Sequence, residues 1–232
     1  MSAGVSPAVE TDFGWGSTVR DLLLLGASGL AREAAAAAQS RHRVIGVLDD
    51  DPALRGTRVA GAEVLGGMAH AAEYDADLLV CVGSGAGRRS VVDRLDALGV
   101  DDRRYTTLID DAVRVPDGCT VGAGSILLGG VVLTADVTIG RHVVVMPNST
   151  LTHDVRLHDF ATVTSGVSLA GSVRVGEAAY IGMNAAVRQG LAIGAGAVIG
   201  MGAAVLADVP DGETWVGVPA RPVGVPHPEG RS

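Results

Sequence analysis

The sequence predicts a small α/β Rossmann-like domain followed by a parallel β-helix. Two observations predict this order: strand and helix patterns alternate over residues 19–110, and a six-residue repeat then occupies most of residues 111–215. The two ends of the chain carry neither pattern. Residues 1–18 and 216–232 are therefore predicted to be tails, the first of them flexible.

The alternating part begins with a buried strand, VRDLLLLG, and a strongly helical segment, GLAREAAAAAQSR. The next two strands are RVIGVLDDD and DLLVCVGS. The second helix is GRRSVVDRLDALG, which Gly99 closes, and the last short strand is YTTLID. Strands that alternate with helices in this way form a parallel sheet.

The repeat is a block of six residues that begins with Val, Ile or Leu. Residues 115–210 contain 30 such residues and 16 of them begin a block, whereas an even spread would place five there. The fifth residue of a block is never charged. We therefore expect the first and fifth residues to point inward, and three blocks to make one coil of a triangular prism. At roughly 4.8 Å per coil, the prism would be about 25 Å long.

The composition argues against several classes of protein. The net charge is −8, all 18 basic residues are Arg, and no basic run occurs, which argues against a nucleic-acid partner. Cys81 and Cys119 lie far apart without a CxxC motif, so we predict buried thiols and no disulfide framework. The longest early apolar run, Leu22–Leu25, is too short for a signal sequence or a membrane span. We expect a cytoplasmic protein that does not associate with membranes.

Blocks of the form [Leu/Ile/Val]-Gly-x-x-small-x, ending in WVGVPARPV, resemble the left-handed β-helix acyltransferases. With LLLLGASGLARE, VIGVLDDD and LLVCVGSGAGRR before them, the chain is similar to the sialic-acid O-acetyltransferase-like family, which includes N-acetyltransferases of UDP-4-amino sugars. The resemblance covers about residues 20–224. It implies a left-handed coil, a homotrimer with acetyl-CoA between neighbouring prisms, and an N-terminal domain that holds a nucleotide-activated amino sugar.

The resemblance places the catalytic histidine of the family on His153, within LTHDVRLHDF, and its acidic neighbour on Asp154. Acetyl transfer needs a base, and an imidazole titrates near neutrality. The carboxylate could fix the tautomer of the ring. Without the resemblance, His153 is best interpreted as a solvated turn residue. Gly171 follows 18 residues later, one coil away, and by the resemblance its N–H is a candidate donor to the thioester carbonyl oxygen.

Other candidate residues also come from the resemblance. The acetyl-CoA co-substrate is expected along a ridge of backbone and small side chains, with Arg221 either at a CoA phosphate or solvated. The ridge residues are Gly182, Met183, Gly200 and Met201. No metal is expected, because His142, His153 and His158 are separated by 11 and 5 residues rather than by whole coils, unlike the zinc histidines of the β-helix carbonic anhydrases.

Three positions depart from the pattern of the family. Thr162 stands where a second histidine often contacts the thioester, and Met146 stands where Asn is frequent. His158 replaces a glycine and is a secondary candidate for contact with the acceptor. These departures affect the expected contacts of the acyl group and the acceptor, and leave the base in place.

In the N-terminal domain, the turn GASG joins a strand to a helix, and Gly26, Ser28 and Gly29 could offer free N–H groups to a pyrophosphate. The turn is not GxGxxG, so NAD is not implied. Asp49 and Asp50 end the second strand, where a carboxylate can meet a ribose or a base. Ligands of open parallel sheets bind at this edge. The third strand ends there too, with Gly83, Ser84 and Arg88.

Three hypotheses about function remain open. The favoured one is acetyl-CoA-dependent N-acetylation of a nucleotide-activated amino sugar. The second is O-acetylation of a sialic acid or another free sugar with the same base. The third is a non-catalytic trimeric scaffold that binds a sugar nucleotide, and thiol release from acetyl-CoA distinguishes it from the other two.

Overall fold

The structure is a computed structural model that describes residues 19–38 and 41–223. The predicted tail of residues 1–18 lies outside these residues. Within them, the chain forms a five-stranded sheet with two helices, and then a stack of two-residue strands. Among the described residues, no helix has the length and apolar character needed to cross a membrane.

The N-terminal sheet has the strand order β3-β4-β2-β1-β5 and is parallel except for the β3–β4 pair. Its core is built from Leu22–Leu25, which are fully buried because one helix packs on each side of the sheet. The three predicted strands and both predicted helices are confirmed. The elements are β1 (Arg20–Leu25), α1 (Gly29–Ala38), β2 (His42–Leu48), β3 (Arg58–Val59), β4 (Ala62–Gly66), β5 (Asp77–Val80) and α2 (Gly85–Ala97), with 3-10 turns at Pro52–Leu54, Met68–Glu73 and Asp102–Arg104.

The last strand of the alternating part, β6 (Leu108–Ile109), does not join the N-terminal sheet. It pairs in parallel with the β-helix strand β8 (Ile126–Leu127), with Leu108 opposite Ile126. The N–H of Leu108 donates to the carbonyl of Ser125 at 2.9 Å. An open coil end has unpaired backbone groups, and this strand satisfies them. YTTLID is therefore divided between the domains: Tyr105 forms a parallel bridge with Leu78 of β5, as predicted, whereas the assignment of Leu108–Ile109 to the N-terminal sheet was wrong.

The β-helix has the predicted coil of 18 residues, because each strand pairs in parallel with the strand three blocks later. Three sheets result, one on each face of the prism. We name them by their outward side chains or by what covers them. The Arg face has β7 (Thr120–Val121), β10 (Thr138–Ile139), β13 (Arg156–Leu157), β16 (Arg174–Val175) and β19 (Ala192–Ile193).

The docking face has β8, β11 (Val144–Val145), β14 (Thr162–Val163), β17 (Tyr180–Ile181) and β20 (Val198–Ile199), with β6 above them. The small-residue face has β9 (Val132–Leu133), β12 (Thr150–Leu151), β15 (Ser168–Leu169), β18 (Ala186–Val187) and β21 (Ala204–Val205). The first residue of each of these blocks points inward, as predicted, and is buried from Leu127 onward. The fifth residue is buried from Ser125 onward. Val, Leu and Ile therefore fill the prism, and Ala and Ser fill its narrower parts.

The N-terminal domain packs on the upper part of the docking face. Ile126 and Val144 point outward from the prism and are nevertheless fully buried, because α1 and the N-terminal sheet cover them. Tyr180 and Val198, farther down the same face, are 39% and 36% exposed. The domain therefore covers the first coils of this face and leaves the later coils open.

The C-terminal end of the prism is closed by β22 (Thr214–Val216), which extends the docking face, and β23 (Arg221–Pro222), which pairs with it antiparallel. Ala220 is fully buried between them. The predicted tail from residue 216 therefore starts too early, because residues through Pro222 still belong to the β-helix. The small residues and prolines of this segment do not predict a hairpin, which forms because β22 pairs with β20 of the preceding coil.

Candidate functional site

The predicted base, His153, lies at the turn between β12 and β13. Its Nδ1 is 2.8 Å from Oδ2 of Asp154, and the two side chains are 66% and 57% exposed. With the ring proton on Nδ1, the imidazole donates to the carboxylate and leaves the Nε2 lone pair free. A histidine held in this way can accept a proton from a bound amine or hydroxyl.

The carboxylate of Asp154 is held there by the backbone. Asp154 has φ 62°, in the left-handed region that Asp tolerates better than most residues. Its N–H donates to the carbonyl of Ala135 in the preceding coil at 3.0 Å. The turn geometry of the prism therefore sets the His153–Asp154 pair.

Gly171 lies beside the imidazole, one coil later. A Cβ on Gly171 would collide with Cε1 and Nε2 of His153. Within the described part of the chain, the Gly171 N–H has no hydrogen-bond acceptor. Most third residues of blocks share this free N–H, so the adjacent Nε2 is what distinguishes Gly171. The structure thus brings a free donor and a base together at one point of the surface.

The turn that contains His153 belongs to one edge of the prism, which we call the His153 edge. It separates the small-residue face from the Arg face. The turn at Asp159–Phe160 belongs to the next edge, the Phe160 edge, between the Arg face and the docking face. The third edge, the Met183 edge, joins the docking face to the small-residue face.

The predicted acetyl-CoA ridge lies on the Met183 edge. Met183 and Met201 stack one coil apart, since the Gly202 N–H donates to the Met183 carbonyl at 2.7 Å, and they are 49% and 79% exposed. Gly182 and Gly200 precede them, and a Cβ on Gly182 would overlap the backbone of the next coil. A full face of the prism separates this ridge from the His153 edge, so one chain does not bring these two sets of residues together.

Asp49 lies at the carboxyl end of β2, beside the GASG turn. Its carboxylate accepts the N–H of Ala27 at 2.7 Å and that of Asp51 at 2.9 Å. The N–H of Ala27, within the turn expected to bind a pyrophosphate, therefore already has an anionic partner. The loop geometry is as predicted, but the adjacent negative charge disfavours a second anion at this point.

Two other residues of this turn also have structural partners. The Gly26 N–H donates to the Leu48 carbonyl at 2.8 Å. The Ser28 hydroxyl donates to the Cys81 carbonyl at 2.6 Å and accepts the Ala31 N–H at 3.3 Å, so it caps α1. These bonds tie the ends of β1, β2 and β5 together.

Asp50 holds two neighbouring elements. Its carboxylate accepts the Met68 N–H at 2.9 Å and an Arg94 N–H at 2.7 Å. Burial raises the pKa of Asp50, but these two donors outweigh burial and lower the pKa below its usual value.

Gly83, by contrast, has open space around the position of a Cβ, and Gly29 is exposed. Ser84 caps α2 by accepting the Gly87 N–H at 3.1 Å. These residues border the crevice expected at the carboxyl edge of the N-terminal sheet, and Gly83 there contacts Thr162 of the docking face.

Arg88 does not line the crevice, contrary to prediction. It is fully buried, and burial lowers the pKa of its guanidinium to about 10, so it remains charged at neutral pH. All five of its N–H groups are engaged, so none is free for a ligand. The acceptors are the carbonyls of Val82, Gly83, His142, Phe160 and Ala161 and the hydroxyl of Thr162, at 2.7–3.0 Å.

Thr162 and Met146 take part in the same contact between domains. Thr162 is buried on the docking face, where its hydroxyl donates to the Gly83 carbonyl at 3.2 Å and accepts from Arg88. Met146 packs against the cluster around α1. Two of the three residues that depart from the family pattern therefore contribute to the domain contact in this chain. His158 is exposed at the end of β13, on the Arg face.

A separate charged cleft lies at the amino ends of the N-terminal strands, lined by Arg20, Asp21, Arg43 and Asp77 among others. Its arginines are paired: Arg43 with Asp21 at 2.7 Å, and Arg20 with Asp77 at 3.1 Å. This cleft is on the opposite edge of the sheet from the crevice and far from His153. We therefore do not assign it to the functional site.

Known proteins share this fold. Residues 21–95 match the PglD N-terminal domain family. The acetyltransferase domain of PglB from Neisseria gonorrhoeae, solved with acetyl coenzyme A, is 31% identical, with a TM-score of 0.81 over 89% of this chain and 100% of that chain. The chain belongs to the hexapeptide-repeat acetyltransferases. The acetyltransferase thus has the predicted fold, a Rossmann-like domain followed by a left-handed β-helix.

A second solved relative of the acetyltransferase is PerB from Caulobacter crescentus, in complex with CoA and GDP-perosamine. It is 27% identical, with a TM-score of 0.81 over 89% of this chain and 99% of that chain. WeeI from Acinetobacter baumannii shares the fold at 24% identity, with a TM-score of 0.62 over 87% and 99% of the two chains. None of the curated proteins compared matches the sequence.

The sequence analysis did not predict a cluster of aromatic rings where the two domains of the acetyltransferase meet. His142 is buried, stacks on Phe160 with ring centroids 5.2 Å apart, and meets Tyr105 edge-on at 4.8 Å. Neither ring nitrogen has a partner among the described residues. The signal available was a histidine at the fourth position of a block, where φ is positive and Gly or Asn is usual. In the residues described, no cluster of three or more His, Cys, Asp or Glu has the arrangement of a metal site.

Proposed function

We propose that this acetyltransferase transfers the acetyl group of acetyl-CoA to the amine of a nucleotide-activated amino sugar, with His153 as the general base. The observation that carries the proposal is the His153–Asp154 pair at 2.8 Å, with Nε2 free beside the Gly171 N–H. The relatives support the two substrates: one was solved with acetyl coenzyme A and another with CoA and GDP-perosamine.

The reaction follows from these positions. The acceptor amine attacks the thioester carbonyl while Nε2 of His153 takes its proton, and Asp154 stabilises the imidazolium. The Gly171 N–H donates to the oxyanion of the tetrahedral intermediate. The C–S bond then breaks, and the imidazolium returns the proton to the departing CoA thiolate. The products are the sugar amide and free CoA.

The site of one chain is incomplete, which favours the predicted homotrimer. The crevice of the N-terminal domain lies beside the docking face, and in a triangular prism the edge opposite that face is the His153 edge. Met183 and Met201 lie on a third edge. We propose that a neighbouring copy supplies the His153 edge to the acetyl-CoA ridge and the acceptor crevice of its partner.

The outward side chains indicate which face lines the threefold axis. The docking face is partly covered, and the Arg face carries two stacked arginines that would repel their copies around an axis. The outward side chains of the strands on the small-residue face are small and uncharged, so they can pack closely around an axis; the one charged residue that directly follows these strands is Arg188, after β18. The outward residues of these strands are Val132, Thr150, Ser168, Ala186 and Ala204. With this face inward, the Met183 edge of one copy meets the His153 edge of the next.

The test of the proposed function is thiol release from acetyl-CoA with UDP-, GDP- and dTDP-linked amino sugars, free amino sugars and sialic acid. We expect release with a nucleotide-linked amino sugar, and loss of it in His153→Ala with acetyl-CoA binding nearly unchanged. His70→Ala, which removes an exposed histidine of the other domain, serves as the control. Release with free sugars or sialic acid alone would favour O-acetylation or a free-sugar acceptor. No release with any acceptor, together with nucleotide-sugar binding, would favour the scaffold.

A further inference from the structure

The Arg face carries two arginines that have no evident structural purpose. Arg156 and Arg174 are directly paired on adjacent strands, β13 and β16. Both are exposed, and neither forms an ion pair with any residue in the described ranges. Like charges directly opposite each other on a sheet destabilise the fold. Two adjacent guanidinium groups without carboxylate partners are suited to bind an anion.

The surroundings of the pair strengthen this interpretation. On the neighbouring Phe160 edge, arginines are neutralised locally: Arg141 by Asp102 at 2.9 Å, and Arg89 by Glu177. On the Arg face itself, Thr138 precedes the pair and Ala192 follows it, so no carboxylate lies in register with it. His158 is exposed two residues after Arg156, on the same face. The patch is therefore positive in a chain whose net charge is −8.

At the crevice that is proposed to hold the nucleotide, most arginines of the described residues already have partners. Its edge carries the carboxylates of Asp49 and Asp50. Arg94 is paired with Asp50, and Arg88 has no free N–H. Arg32, on α1, is the remaining nearby cation, with its guanidinium next to Gly29. A ligand with a diphosphate would therefore find little compensating charge within one copy of the N-terminal domain.

In the assembly proposed above, the Arg face of one copy borders the crevice of the neighbouring copy. We propose that Arg156 and Arg174 bind the diphosphate of the nucleotide-sugar acceptor held by the neighbouring copy. This inference rests on the proposed function. Guanidinium groups bind phosphate oxygens in a bidentate manner, and two of them match the two phosphates of a nucleoside diphosphate.

The position of the pair selects the acceptor over CoA. Arg156 follows His153 by three residues, so their Cα atoms are at most about 11 Å apart. In a nucleotide-linked amino sugar, one sugar ring separates the reacting amine from the nearest phosphate. In acetyl-CoA, the whole pantetheine arm separates the thioester from the first phosphate. With the reacting atoms at His153, the arginines are within reach of the acceptor diphosphate.

The test is equilibrium binding of UDP, GDP, dTDP and acetyl-CoA to the full chain and to the variants Arg156→Ala and Arg174→Ala. For the nucleoside diphosphate that binds wild type most tightly, we expect each variant to weaken affinity about tenfold or more, since each removes a charged hydrogen bond. Acetyl-CoA affinity should be unchanged. Arg114→Ala is the matched control, because Arg114 is an exposed arginine directly before the first block of the repeat, away from this patch.

Folding of the variants is checked by their unfolding midpoints without ligand, which should equal or exceed that of wild type because repulsion is relieved. Three results would overturn the inference. The first is weakened acetyl-CoA binding with unchanged nucleoside diphosphate binding in the variants. The second is weakened nucleoside diphosphate binding in Arg32→Ala but not in Arg156→Ala or Arg174→Ala. The third is no nucleoside diphosphate binding to wild type. Thiol release by wild type tests the proposed function separately. If wild type releases thiol and both arginine variants bind the nucleoside diphosphate as tightly as wild type, the role of the arginines is refuted and the proposed function stands.

Discussion

At the scale of single residues, the proposed base depends on the close contact between Gly171 and His153. The imidazole of His153 occupies the space that a side chain at Gly171 would need. The missing side chain lets the ring lie against a free backbone N–H. The glycine is therefore required by the neighbouring coil and not by its own backbone conformation.

Gly171→Ala tests this arrangement. Alanine keeps the N–H but displaces the imidazole, and a displacement of about 1 Å can cost about a hundredfold in rate. We expect kcat to fall by about that factor while the unfolding midpoint stays close to wild type, because the His153 ring is free to move into solvent. Steady-state kinetics and thermal unfolding measure both.

Gly129→Ala is the control for this substitution. It changes the same position of a block, on the Met183 edge, and its Cβ would make only ordinary contacts with Asp110 from 3.5 Å. Equal kcat in Gly171→Ala and wild type would show that the close approach of His153 to Gly171 has no catalytic role.

Residue-level prediction from sequence was uneven for a physical reason. His153 and Gly171 could be paired in advance because they are 18 residues apart, and a repeat turns that spacing into contact. The burial of Arg88 could not be foreseen. Its acceptors in the β-helix are 54–74 residues away, and only the docking of two domains brings them to one point.

At the scale of elements, helix α2 is the part that joins the two domains. Gly85, its first residue, lies so close to the Phe160 turn that a Cβ would collide with the Phe160 carbonyl and the Ala178 backbone. One turn later, Arg88 donates to carbonyls of both domains. The helix thus fixes the crevice relative to the prism.

Arg88→Met should therefore destabilise the protein strongly. It leaves several buried carbonyls without donors, and each costs about 1–3 kcal/mol. We expect the free energy of unfolding to fall by at least about 3 kcal/mol in denaturant titrations. Arg89→Met is the comparison: Arg89 is part-exposed, pairs with Glu177 and lies over Phe160, and its loss should cost about 1 kcal/mol. Equal losses in the two variants would contradict the role of Arg88.

The joint between domains should also be sensitive to acid. The pKa of His142 is lowered to about 4, mainly by burial and also by the charges of Arg141 and Arg88, with Asp102 and Asp159 acting in the opposite direction. Because the folded pKa is below the unfolded value of about 6.5, the unfolded state binds the proton more readily. The contribution of neutral His142 is therefore complete above about pH 6.5 and is lost as the pH falls toward 4.

His142→Phe should remove this dependence. The ring nitrogens have no partners, and a phenyl ring keeps the stacking on Phe160. Between about pH 7 and pH 4, the variant should lose less unfolding free energy than wild type, by up to about 3 kcal/mol. Unfolding curves over this range measure the difference, with His70→Ala as the control. Parallel pH profiles for wild type and His142→Phe would rule out the effect.

The strands of the repeat could be predicted because the same pattern, with the first and fifth residues inward, occurs in sixteen consecutive blocks. β6 was assigned to the N-terminal sheet, which is the wrong sheet, and β23 was not predicted because it lies in the expected tail. Each has two residues and is stabilised by the open end of a coil, so its own sequence carries almost no signal.

At the scale of the whole molecule, the three faces of the prism have different purposes. One carries the N-terminal domain, one has small and uncharged side chains on its strands, and one carries Arg156 and Arg174. The crevice proposed for the acceptor, the ridge proposed for acetyl-CoA and the proposed base lie on different sides of the prism. The proposed site therefore needs two copies, and sequence periodicity alone could not suggest this because periodicity does not place the N-terminal domain.

The most direct test of this account is to mix two inactive variants. His153→Ala lacks the base, and Gly83→Trp fills the crevice, where a side chain meets open space. If crevice and base come from neighbouring copies, trimers refolded from an equal mixture should recover about one quarter of wild-type thiol release, because each site draws at random on two chains. If both come from one chain, every site keeps a defect. Activity no higher than that of the separate variants would contradict the account.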